Sequence, residues 1–154
     1  VTSPSHEPRS TGAGTIALAA ALDAVLVVVF AVIGRSSHAE ALDPAGLWGT
    51  AWPFLVGAML GWTAARAWRR PIAVWPTGVI VWVATVVVGM LLRAASGQGT
   101  AVAFIIVATL TLALLLLGWR AIAGLVLRLR ARNGRPAASG TEASATEASA
   151  SAAS

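Results

Sequence analysis

Cysteine is missing from this chain of 154 residues, which excludes disulfides, thiolate nucleophiles, Cys-ligated zinc and iron–sulfur clusters. Lysine is missing too. All 11 basic residues are arginines, a usage that in an Ala- and Val-rich chain reflects codon bias toward GC as much as guanidinium chemistry. Charge is sparse: 11% of residues are charged against 57% hydrophobic, and the mean hydropathy of +0.78 is hard to reconcile with a soluble domain of this size. The GxxxxGK[ST] phosphate loop, the HExxH frame, a serine nucleophile elbow and paired intramembrane histidines are absent. Their absence weighs against nucleotide binding, zinc metalloprotease, rhomboid-like protease and bis-histidine haem readings. No enzyme, no cofactor and no metal site is therefore expected.

What the chain does have is apolar length. Four runs, at about 15–34, 47–68, 77–92 and 100–127, approach or exceed the roughly 20 residues that cross a bilayer core. Short connections make sequential helices antiparallel neighbours, so the expected fold is all-α, a four-transmembrane-helix bundle occupying residues 15–131. Residues 1–14 read as a mobile N-terminal tail. From residue 132 a low-complexity tract with a repeated TEASA unit and no bulky apolar residue reads as disordered.

The net charge of +5 and the isoelectric point near 11.8 suggest nucleic acid at first sight. Placement argues otherwise, because the arginines mark helix ends. Arg9, Arg66, Arg69, Arg70, Arg120, Arg128, Arg130, Arg132 and Arg135 fall on one side and Arg35 and Arg93 on the other. That bias puts both termini in the cytoplasm, in the cell's inner or plasma membrane, with the lipid bilayer as the first partner, a homo-oligomer or another membrane protein as a further one, and no nucleic acid. Arg128, Arg130 and Arg132 are placed to rest on anionic headgroups. A cleaved signal peptide ending near Ser37-His38-Ala39 is the lesser alternative, since the first run is too long for an h-region and carries an acid.

That acid, Asp23, stands near the middle of the first run. A carboxyl at such depth costs about 2.5–3.5 kcal/mol on insertion scales and by default faces protein or water. At about 1.5 Å of rise per residue it lies roughly 12 Å from the inner boundary, level with Thr85 and within a few ångströms of Thr111. Asp23, Thr85 and Thr111 are the candidates for proton or ion coupling. Arg93 and Arg66 are each roughly 10–12 Å away in depth and are not expected to reach it.

Gly57 and Gly61 form a GxxxG pair, which serves either as a homodimer seam or, more commonly, as a close contact within one chain. Gly78, Trp82, Thr85, Gly89 and Arg93 share one face of the third run, and Trp48, Trp52, Trp68, Trp75 and Trp119 form interfacial belts. Pro76 suits a first helical position, and Pro53 falls early enough in its run to be tolerated. On the outer side Arg35, His38, Glu40, Asp43 and Arg93 make a candidate polar cluster, although HAEALD matches no metal-ligand spacing. SGQGT at 96–100 reads as a tight glycine-rich turn.

The strings LDAVLVVVFAVIGRSSHAE, WPFLVG, RRPIAVWPTGVIVW, GMLLRAASGQGTAVAFIIVA and LGWR resemble, in that order, a family of small bacterial four-helix integral membrane proteins catalogued as a domain of unknown function. The resemblance covers about residues 16–120 and implies the four-helix membrane fold; it brings no activity or functional residues. The functional expectation is a structural or accessory membrane component, associating with itself or another membrane protein. The alternative is a small proton- or ion-coupled transporter or channel that uses Asp23.

Overall fold

The computed structural model describes residues 12–37 and 42–133. Among them are four α-helices: α1 (Ala13–Ser37), α2 (Pro44–Ala64), α3 (Val79–Ala95) and α4 (Val102–Asn133). A single 3₁₀ turn, Ala67–Arg69, and a wide turn, Val74–Gly78, join α2 to α3. No strand occurs among the described residues.

Helix ends follow local chemistry. Asp43 caps α2, its Oδ1 accepting the Gly46 amide at 2.8 Å, with Pro44 at the first helical position where a missing N–H costs nothing. Helix α2 then runs unbroken through the buried Pro53. The C-terminus of α3 closes on Gly97, whose φ of 73° carries the chain into the turn that glycine favours. The end of α2 closes on Arg66 in the same left-handed region, at φ 46°, without that freedom. Relative to the expected runs, α2 ends earlier, at Ala64, and α4 continues beyond its apolar stretch to Asn133.

Helices α2 and α3 touch backbone to backbone. A Cβ on Gly57 would stand 2.9 Å from the Cα and the carbonyl of Thr85, and one on Gly61 would stand 2.8 Å from the Cα of Val81. The GxxxG face is therefore spent inside the chain. Gly89 is filled in turn by the ring of Phe54. Helix α4 joins through side chains: Leu112 and Leu116 enter a core with Val27, Phe30, Phe54 and Ala58, and Phe30, Phe54 and Phe104 meet with ring centroids 5.0–6.4 Å apart.

The exterior is apolar. Leu18, Val25, Ile106, Leu110 and Leu114 are each more than half exposed, the reverse of a water-soluble surface. Helices α1 and α4, and α3 taken with the turn before it, are long and apolar enough to cross a membrane, which fits a membrane protein. Helix α2, with 21 residues and no charge but several Gly, Trp, Thr and Pro residues, is not among those three. The segment from Leu125 onward forms a unit of its own, carrying Arg128, Arg130 and Arg132 on the last turns of the helix.

Candidate functional site

Asp23, only 1% exposed, is enclosed by N–H donors from two other helices. Arg120 on α4 grips it bidentately, Nη2 to Oδ2 at 2.6 Å and Nη1 to Oδ1 at 2.8 Å. Two indoles complete the shell: Trp62 on α2 donates to Oδ2 at 2.7 Å and Trp119 on α4 donates to Oδ1 at 2.8 Å. Each carboxylate oxygen thus accepts two hydrogen bonds, at the short distances typical of charged partners.

The guanidinium is equally well placed. Arg120 is fully buried, its Nε donating to the Pro71 carbonyl at 3.2 Å and Nη1 also to the Leu116 carbonyl at 2.9 Å. Its stem passes over Gly78, where a Cβ would stand 2.9 Å from Arg120 Cδ and 3.2 Å from Leu117 Cδ2. The glycine of the WPTG string leaves room for the arginine. A buried pair offsets its desolvation only when geometry is good and the remaining polar atoms find partners, and both conditions hold here. The network ties α1, α2, α4 and the α2–α3 connection together at one end of the helices.

This differs from the expected surroundings of Asp23. The hydroxyl of Thr85, fully buried, donates instead to the Val81 carbonyl of its own helix at 2.7 Å, and Thr111 lies partly buried on α4. The carboxylate is occupied by Arg120, Trp62 and Trp119. By sequence position Arg120 marks a helix end and Trp119 an interfacial belt, and the fold turns both toward Asp23. Side chains on a helix lean toward its N-terminus, so Arg120 reaches back from the end of α4 toward the depth of Asp23. Two signals pointed to it: an arginine lying inside, not after, an apolar run, and an adjacent tryptophan with an N–H in need of an acceptor.

At the other end of the helices a cleft of about 660 Å³ opens. Arg35, Thr50, Arg93 and Phe104 line it together with Phe30 and Val107. Arg35 reaches Asp43 Oδ2 and Thr50 Oγ1, both at 3.5 Å. Arg93 donates to Gln98 Oε1 at 2.8 Å and to the Gly99 carbonyl at 3.2 Å, and its guanidinium carbon stands 4.4 Å from the centre of the Phe104 ring. Of the expected outer cluster, Arg35, Asp43 and Arg93 gather at this end, while His38 and Glu40 lie outside the described residues. The Gly46 amide, with help from nearby Arg35, holds the Asp43 carboxyl below its ordinary value. Among the described residues no group of three or more His, Asp or Glu side chains is disposed to hold a metal.

Residues 20–123 match the model of a family described as a protein of unknown function, DUF3054, and the chain belongs to that family. The matched stretch contains Asp23, Trp62, Gly78, Trp119 and Arg120. No curated protein and no solved structure matches the chain.

Proposed function

We propose that this member of the DUF3054 family is a non-catalytic structural or accessory component of a bacterial inner membrane, with Asp23 and Arg120 as a fixed clamp between helices. The observation that carries this reading is the enclosure of Asp23, at 1% exposure, by four N–H donors. A carrier must release its partner and meet water in each cycle, whereas here every change at the carboxylate leaves a guanidinium and two indoles unsatisfied in an apolar interior.

In this reading all four helices span the bilayer, α2 being shielded from lipid in part by α3, and both termini are cytoplasmic. The charge bias supports that orientation even after correction. Arg120 is neutralised by Asp23 and drops out of the count, leaving eight arginines against two where the sequence shows nine against two.

The test pairs two measurements on the purified full chain. In proteoliposomes containing a pH-sensitive dye, wild type and Asp23→Asn should leak protons equally, and native mass spectrometry from mild detergent should show a defined multimer or a stoichiometric membrane partner. A proton or cation flux that disappears in Asp23→Asn would replace the clamp reading with the transporter one.

A further inference from the structure

The cleft at the Arg35 end is a cavity that the clamp does not need. Its volume of about 660 Å³ falls within the range of small-molecule pockets, and its walls are mainly apolar, with Phe30, Phe104 and Val107 beside the small residues Gly99 and Ala103. The two guanidiniums in the lining are engaged within the chain. Arg35 is ion-paired with Asp43, and Arg93 donates to Gln98 and to the Gly99 carbonyl while lying against the Phe104 ring. What the cleft offers a ligand is apolar volume.

Its open side indicates what fills that volume. Ala103 and Val107 in the lining begin an i, i+4, i+7, i+11 series on α4 that continues through Leu110 and Leu114; all four are exposed, the last three by 58%, 65% and 74%. One apolar stripe thus runs from inside the cleft along the outer surface of α4. In a bilayer such a stripe is covered by lipid tails, which are as apolar as leucine, and a void beside it forfeits the dispersion contacts of its lining. Water gains little among such walls. We propose that the cleft takes one acyl chain of a membrane phospholipid, seated against Phe30, Phe104 and Val107, with no selection for the charge of the headgroup. The inference rests on the placement of the chain in a bilayer and is independent of the clamp.

The full-length protein, extracted from membranes, would be equilibrated in a nonionic detergent with equal parts of phosphatidylcholine and phosphatidylglycerol of identical chains, washed free of loosely held lipid, and weighed by native mass spectrometry. One phospholipid should remain per chain, with both headgroups retained equally. Ala103→Trp fills the cleft from an exposed position of α4 and Ala101→Leu fills it from the turn before α4; each should lower retention about tenfold. Leu114→Trp, on the same stripe beyond the cleft, should leave retention unchanged. No retained lipid, a preference for phosphatidylglycerol, retention unchanged in both filling variants, equal loss in Leu114→Trp, or a lipid-free dimer would each overturn the proposal. A chain that does not fractionate with membranes at all would overturn the membrane reading itself, whereas a membrane-bound chain with an empty cleft overturns this inference alone.

Discussion

Arg120 and Arg93 are both arginines within the helical region, yet they meet opposite fates. Arg120 is fully buried against a carboxylate, two backbone carbonyls and the face of Trp119, 4.6 Å from its ring centre. Arg93 leans on Phe104, a side-chain amide and a carbonyl at the lip of an open cleft. The difference lies in what surrounds each one. At the Asp23 end a counter-charge and two indoles converge from three helices and close the site; at the Arg35 end the walls are phenylalanine and valine, and the site stays open. A charge inside an apolar bundle is enclosed where a counter-charge and N–H donors converge on it from several helices, and stays at an open edge where its neighbours are ring faces and loop carbonyls.

The largest test of that contrast removes the lock. Arg120→Met leaves Asp23 buried without its cation and should cost about 3–5 kcal/mol, read as a large fall in the detergent melting temperature. The double variant Asp23→Leu with Arg120→Met should regain most of it. A double variant as unstable as the single one would mean that the pair is not what closes this end.

Next in size is the seam that carries both ends. Gly61→Val forces side-chain atoms against the Val81 backbone and should cost about 1–3 kcal/mol. Because that contact lies within the chain, the loss should show in the melting temperature and be independent of protein concentration. Trp62→Phe keeps most of the bulk and removes one donor to Asp23, for about 1.5–3 kcal/mol as a hydrogen bond to a charged group. The same exchange at Trp82, which donates to the Thr109 carbonyl at 3.0 Å, should cost less.

The helical architecture was legible in the sequence because apolar runs and turn residues act locally: four runs became four helices, and the glycine-rich turn at 96–100 holds the one positive-φ glycine among the described residues. The partners of Asp23 were not legible, since fixed helix frames assign depth to Cα atoms, and the arginine that matters bridges the gap with a long side chain pointed back along its helix. Small hydroxyls such as Thr85 looked like natural partners by level, but a threonine in a helix finds an acceptor in its own preceding turn. The cleft was half visible: the places of Arg35, Asp43 and Arg93 in the sequence put them at one end of the helices, while the aromatic walls from Phe30 and Phe104 required the tertiary fold.

Two smaller effects sharpen the comparison of the ends. Arg66→Gly relieves a left-handed backbone at the closed end and should raise stability by about 1 kcal/mol, unlike every substitution above. At the open end, Asp43 titrates below its ordinary value of 3.8 in the folded chain. Its contribution is therefore fully present above that value and disappears as the pH falls through the folded one. Asp43→Ala should lower the melting temperature at neutral pH, where the ionised cap is present, and should remove its acid-side slope.

The two halves of the clamp are 97 positions apart in the chain. During synthesis at about 5–20 residues per second, Asp23 emerges roughly 5–20 s before Arg120 exists. Throughout that interval the first helix carries a carboxyl whose membrane burden is about 2.5–3.5 kcal/mol, with no cation to meet it. If α1 crosses the bilayer as proposed, it does so for that interval without its counter-charge, and the last helix to be made completes the environment of the first.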